Sequence, residues 1–243
     1  MRRHMFRWSP ARIIAGAFGS ISFIGSILLY LPWGHMPGQS ITYVDALYTA
    51  VSALCVTGLS IVDTAAVFNP FGQAILAVLI QVGGLGVSTM GAGVLLMLGR
   101  KVGIRQRNLI HDTMNLDSYS GVVRFLRTLF ATTVFIEVIG AFLGYFVFRR
   151  DYEMMESIGL SIFHSISSFN NAGLTILTKE RSMEMYAEDP FMLILTTALV
   201  FVGGLGFIVI RECWVNRFRW RKLSMHSRVS IFMAVFLLIG GAV

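Results

Sequence analysis

Two short stretches carry the residue types best suited to chemistry: Val56-Thr57-Gly58-Leu59-Ser60 and Asn170-Asn171-Ala172-Gly173-Leu174-Thr175. Neither contains a nucleophile with a base. Each offers a glycine among small, hydroxyl or amide residues. Glycine supplies φ freedom, so that successive carbonyls can point the same way and replace the hydration shell of a cation. Ser52, Thr57, Ser167, Asn170 and Asn171 could hold such loops by hydrogen bonds. The bland alternative is a pair of interfacial loops in which glycine serves turns. Two copies in register weigh against it.

The segments before the loops, Tyr43 to Cys55 and about Ile158 to Phe169, are too short to span a bilayer and too apolar for ordinary outer loops. Segments of this length suggest re-entrant structure. Non-helical backbone survives at membrane depth only where protein buries it or water lines it. A half-helix entering from outside aims its partly negative C-terminal end at the membrane centre, which favours a cation there.

The elements around them must be membrane helices. Of 243 residues, 55% are apolar and 14% charged. An average soluble domain has roughly a quarter charged residues. No Lys, Arg, Asp or Glu occurs between Arg12 and Asp45, between Asp63 and Arg100, or between Asp189 and Arg211. Each block can cross a core that takes about 20 helical residues. The composition excludes disorder, a disulfide scaffold and a cytosolic enzyme, and specifies an all-α polytopic membrane protein. Expected spans are 12–31, 71–98, 121–148 and 191–210, with a fifth starting near Val229. No cleavable signal is expected at the N-terminus: Ile13 to Leu31 is longer than a signal h-region of 7–15 residues. Cys55 and Cys213 fall on opposite sides of the membrane, so neither a disulfide nor metal ligation is expected.

Charge gives the orientation. With the N-terminus cytoplasmic, the inner segments 1–12, 99–127 and 211–228 hold 16 of the 20 basic residues, among them Arg2, Arg3, Arg7, Arg100, Lys101, Arg105 and Arg107. The outer loops hold Arg149, Arg150, Lys179 and Arg181 against nine acids, including Glu180. The positive-inside rule favours this topology. The formal charge of +7 is thus a topology signal, and no nucleic-acid partner is expected.

The chain repeats itself. Asn69-Pro70-Phe71 and Asp189-Pro190-Phe191 lie 120 residues apart, and Val82-Gly83-Gly84-Leu85-Gly86 recurs at the same offset as Val202-Gly203-Gly204-Leu205-Gly206. Upstream the offset is 115: Ser52 matches Ser167, Gly58-Leu59-Ser60 matches Gly173-Leu174-Thr175, and Tyr48 matches Phe163. The unit is span, pore loop, span. It occurs over 1–100 and again over 101–222, with basic cytoplasmic connectors, and 223–243 begins a third, truncated copy. Taken alone, the glycine pairs read as close helix packing. They follow no strand and reach no third glycine in register, so a dinucleotide fold fails, as does a phosphate loop.

The segments VDALYTAVSALCVTGLSIVDT, FGQAILAVLIQVGGLG, SIFHSISSFNNAGLT and FVGGLGF resemble the Ktr/Trk/HKT superfamily of potassium transporters, most closely the bacterial KtrB-type membrane subunit. The resemblance covers essentially the whole chain. It implies a potassium-channel-like fold of four linked M1–pore loop–M2 units around one K+ path, of which this chain holds two complete units and the start of a third. It implies Gly58 and Gly173 as filter glycines, lined by the backbone carbonyls of Val56, Thr57 and Leu59 and of Asn171, Ala172 and Leu174. It further implies K+ uptake across the cell membrane, stimulated by Na+. The implied partners are a homodimer of the complete membrane subunit and a cytoplasmic KtrA-type ring, with the nucleotide (ATP/ADP or NAD(H)) only on that separate regulatory subunit. The family's third-unit gate would lie beyond Val243, so the chain is expected to be the N-terminal half of a longer protein.

Other residues have plainer readings. Asp45 and Asp63 flank the first loop. Capping explains Asp45 well, and a vestibule charge that concentrates cations is a second role for both. Glu137 lies inside a span, where a carboxyl is functional by default. A structural partner, such as Ser/Thr or Arg on a neighbouring helix, is favoured over proton relay. His164 is read as a polar packing residue; His35, His4, His111 and His226 are read as solvated. Arg217-Phe218-Arg219-Trp220-Arg221-Lys222 reads as an anionic-lipid anchor, with ring docking as the family reading. No Ser-Lys pair or HExxH motif supports an enzyme. The rivals are a secondary transporter of another fold, disfavoured because its repeats would often be inverted, and a non-transporting anchor for a cytoplasmic partner.

Overall fold

A computed structural model describes residues 10–86, 89–90, 122–177, 183–217 and 219–241. Arg2, Arg3, His4, Arg7, Arg100, Lys101, Arg105, Arg107, His111, Lys179, Glu180 and Arg181 lie outside the described residues, as does the unit boundary at 100/101.

Among the described residues the chain is helical, with one isolated bridge, His35 to Phe68, and no named strand. The α-helices there are α1 (Pro10–Tyr30), α2 (Tyr43–Cys55), the single turn α3 (Thr64–Val67), α4 (Pro70–Leu85), α5 (Val122–Phe148), α6 (Met154–Phe169), α7 (Pro190–Gly204), α8 (Phe207–Val215) and α9 (Met225–Gly241). Among the described residues two stretches are long and apolar enough to cross a membrane, Arg12–Tyr30 and Phe125–Phe148, and the bent pair α7/α8 makes a third if counted as one span.

Local chemistry sets the helix starts. The Thr42 hydroxyl accepts from the Asp45 N–H at 3.2 Å, and the Asp45 carboxylate accepts from the Thr42 N–H at 3.1 Å, a capping box that opens α2. Asn69 accepts from the N–H groups of Phe71 and Gly72, and Asp189 from those of Phe191 and Met192. Pro70 and Pro190 follow at the first helical position, where a missing N–H has no consequence.

Two expectations need correction. The span over 191–210 is broken: α7 ends at Gly204, and α8 departs at 96°. Gly206, at φ +81°, makes the corner. The His35 side chain, read as solvated, is buried, with Nε2 2.7 Å from the Leu29 carbonyl and its ring against Phe68. The Pro32–Gly34 turn folds the chain back over the end of α1 and delivers it there.

In the packing, α2 lies against α1 and α4, α6 lies against α5 and α7, and α4 also meets α6. One apolar core runs through both sets, from Leu29, Leu76 and Ile80 to Phe148, Phe163 and Leu195. The buried face of α2 is Ala46, Ala50 and Ala53; the positions 115 residues on are the buried Ser161, Ser165 and Ser168 of α6. Small residues at matched positions let the surrounding helices close on both.

Candidate functional site

The site forms where α2 and α6 end. Beyond Cys55 the chain turns through Val56 in the left-handed region (φ 57°, ψ 40°), then Gly58 at φ +73°. Beyond Asn170 it turns through Asn171 at φ 58°, then Gly173 at φ +70°. Val56 and Asn171 stand 115 residues apart, as do the two glycines. A non-glycine residue in this region is uncommon and strained, so its recurrence at matched positions marks a backbone shape held from outside.

The holding bonds also match. The Thr57 N–H donates to the Ser52 carbonyl at 3.0 Å, and the Ala172 N–H to the Ser167 carbonyl at 2.8 Å. The Ser52 hydroxyl donates to the Leu59 carbonyl at 2.5 Å, and the Ser167 hydroxyl to the Leu174 carbonyl at 2.6 Å. Each serine thus ties the far side of its loop to its own helix. Thr57 adds a hydroxyl bond to Ser52 at 3.0 Å. The glycine-pair motif supports the loops from behind: a Cβ on Gly83 would fall on the Leu54 carbonyl, and one on Gly203 on the Phe169 carbonyl. The close-packing reading of that motif therefore holds, and what it packs against is the end of α2 and α6.

The two loops face one another. A Cβ on Gly58 would lie 2.5 Å from the Ala172 carbonyl oxygen and 3.5 Å from the Gly173 Cα. One on Gly173 would lie 3.8 Å from the Gly58 Cα. The hydroxyl of Thr64, on α3, donates to the Thr175 carbonyl, a second tie between the loops. Thr57, Leu59, Asn171 and Gly173 are exposed, Val56 and Gly58 are partly covered, and Ala172 and Leu174 are buried. The eight loop residues singled out in the sequence are therefore brought together as two apposed turns.

The flanking acids are not. Asp45 lies at the opposite end of α2, ten residues or about 15 Å of helix from Cys55. Asp63 caps α3, accepting from the N–H groups of Ala65 and Ala66. Both carboxylates are engaged as caps.

Sequence reasoning missed the polar contacts behind the second loop. The Asn170 amide reaches Gln81 and Glu137 rather than its own loop. The Glu137 carboxyl has an amide partner, Asn170, not the Ser/Thr or Arg expected; Ser165 bonds only its backbone carbonyl. Unpaired polar residues at membrane depth were the available signal, since such residues find each other. The His164 Nε2 lies 3.0 Å from the Thr196 hydroxyl and 3.3 Å from that of Ser168, which agrees with its polar packing role.

Chemically, the arrangement brings two helix C-terminal ends and the backbone of two glycine turns side by side. Partial negative charge collects there without a titratable group. Such a site favours a positive charge.

Comparison with known proteins gives the same direction. The family model for TrkH, described as cation transport protein, matches residues 10–237. The chain is 36% identical over 235 residues to the potassium/sodium uptake protein NtpJ of Enterococcus hirae, covering 97% of this chain and 51% of that protein. It is 34% identical over 225 residues to the Ktr system potassium uptake protein B of Bacillus subtilis, covering 93% and 49%. It is 35% identical over 249 residues to the protein of that name from Vibrio alginolyticus, covering 100% and 52%. The chain spans about half the length of these relatives.

Proposed function

The chain belongs to the TrkH family of cation transport proteins, and from that premise we propose that it supplies two of the carbonyl-lined loops through which a potassium uptake protein passes K+ across the cell membrane. The observation that carries this reading is the apposition of Gly58 and Gly173, each in a turn of the same backbone shape and tied by the same serine bond. K+ sheds water to the carbonyls of Val56, Thr57, Gly58 and Leu59 on one side and Asn171, Ala172, Gly173 and Leu174 on the other. The dipoles of α2 and α6 favour the cation where the two helices end. Inward movement follows the membrane potential, worth about 2.3 kcal/mol per charge for each 100 mV.

The same reading takes the set α1, α2, α4 and the set α5, α6, α7 as successive M1–pore loop–M2 units of a potassium-channel-like fold, with α9 opening a third. The matched offsets of 115 and 120 residues support it. The N-terminus is cytoplasmic on the charge distribution. The names of the Ktr relatives support a membrane subunit of a multi-component system. Within it we place a homodimer of the complete subunit and a KtrA-type cytoplasmic ring that alone binds nucleotide. The name of the E. hirae relative makes Na+ a second ion to test.

The test is growth of a potassium-uptake-deficient bacterium on limiting K+, expressing the full-length protein. The wild type rescues growth; Gly58→Ser and Gly173→Ser reduce rescue or shift the preference between K+ and Na+, at unchanged amounts in the membrane. Absence of rescue by the wild type, or identical fluxes in both variants, overturns the reading.

A further inference from the structure

Asn170 closes α6 as Cys55 closes α2, but the two corners differ. The Asn170 Nδ2 donates to Gln81 Oε1 at 3.0 Å, to Glu137 Oε1 at 3.3 Å and to the Ile166 carbonyl at 2.9 Å. Asn170 thus bridges Gln81 of α4 and Glu137 of α5. Asn170 and Glu137 are each 9% exposed. A Cβ on Gly84 would fall on the Asn170 Oδ1, so the amide lies directly against α4. The Ser165 hydroxyl donates to the Glu137 carbonyl at 2.8 Å and fixes α5 on α6 beside it.

This bridge has no counterpart in the other corner. At the repeat offsets, Cys55 stands for Asn170, Ser22 for Glu137 and Phe201 for Gln81. The fold therefore does not require these groups to close a loop. A carboxyl placed among apolar helices is expensive, and this one spans a seam: Gln81 belongs to α4, in the first half of the chain, whereas Glu137 and Asn170 belong to α5 and α6. What they hold is the residue directly before the left-handed Asn171 and three before Gly173.

We propose that Glu137 is a positioning residue for cation discrimination: with Gln81 it clamps Asn170 across the seam and so fixes where the second loop begins. This rests on the reading that the loops carry the cation. Carbonyls that replace a hydration shell must stay within about 0.5 Å of their working geometry. Removing either side-chain acceptor, Glu137 or Gln81, loosens the restraint on that loop's first residue. Because Glu137 acts as an acceptor, a glutamine there keeps the clamp and a leucine destroys it.

The experiment measures K+ and Na+ uptake, each with its KM and maximal rate, for the full-length protein in proteoliposomes. The set is wild type, Glu137→Gln, Glu137→Leu, Gln81→Leu and Gly173→Ser. Expected is a K+ over Na+ preference near wild type for Glu137→Gln, and one at least ~5-fold lower for Glu137→Leu and Gln81→Leu, equivalent to about 1 kcal/mol of discrimination. Should Glu137→Leu fail to reach the membrane, Gln81→Leu decides alone. A wild-type preference in Gln81→Leu, or a loss in Glu137→Gln as large as in Glu137→Leu, overturns the clamp. If Gly173→Ser itself leaves the preference unchanged, the loop reading fails and the clamp falls with it. Relaxed preference in Gly173→Ser beside unchanged leucine variants sinks the clamp alone.

Discussion

Gly58 and Gly173 occupy equivalent places, yet alanine should harm them unequally. Both need a positive φ, +73° and +70°, which gives an L-residue a penalty of about 1–2 kcal/mol. Their surroundings then separate them. The new methyl of Gly58→Ala lands 2.5 Å from the Ala172 carbonyl oxygen, a backbone atom that cannot swing aside. That of Gly173→Ala meets nothing closer than the Gly58 Cα at 3.8 Å, an ordinary contact. Relieving the first overlap requires one loop to move away from the other, and overpacking of that kind adds about 1–3 kcal/mol. Gly58→Ala should thus lose about 2–5 kcal/mol and Gly173→Ala about 1–2 kcal/mol, on the same two terms. Thermal unfolding of the purified full-length protein, read beside K+ uptake at equal membrane amounts, gives both numbers. Gly58→Ala should melt at the lower temperature and show the larger flux defect. A Gly173→Ala defect equal to or greater than that of Gly58→Ala would refute the facing-loop geometry.

Ser167→Ala leaves the buried Leu174 carbonyl without its hydroxyl donor, so it should lower stability by about 1–3 kcal/mol in thermal unfolding. Ser52→Ala should lose less, because Leu59 is 59% exposed and water can replace the donor. Gly203→Ala drives a methyl into the Phe169 carbonyl and should impair K+ uptake without touching the path, while Gly159→Ala, where a Cβ meets nothing, leaves uptake intact. Asp189 provides a pH prediction. The Met192 N–H, with that of Phe191 and the Arg150 guanidinium at 2.6 Å, holds its carboxyl below the usual value of 3.8. A folded-state value below the unfolded one adds stability that is present above 3.8 and is lost as pH falls through the lower folded value. Unfolding temperatures of wild type and Asp189→Asn should therefore converge only at pH below 3.8.

Much of the site could be read from residue types. The range Tyr43–Cys55 was legible because a short apolar segment with a capping Asp45 near its start runs directly into a glycine loop. The start of α6 was less so: it begins at Met154, ahead of the expected Ile158, since Glu153 makes no side-chain cap that would mark it. The break at Gly206 was hidden because apolar residues continue on both sides and hydropathy does not report φ. The left-handed turns at Val56 and Asn171 were equally silent, valine being among the last residues expected there. The glycine pair was read as packing, and the partner it packs against became visible only when Leu54 and Phe169 were placed beside it. The Glu137 contacts depend on three helices meeting across 89 residues of sequence, between Gln81 and Asn170, and no local pattern encodes that.

On this reading a dehydrated cation rests between the Gly58 and Gly173 loops. Anomalous diffraction from crystals of the full-length protein in rubidium, a heavy stand-in for potassium, tests it most directly. A peak is expected between the two loops, within coordinating distance of their carbonyls, that fades as potassium is added in competition. Rubidium bound elsewhere in the molecule, with none between the loops, would contradict it.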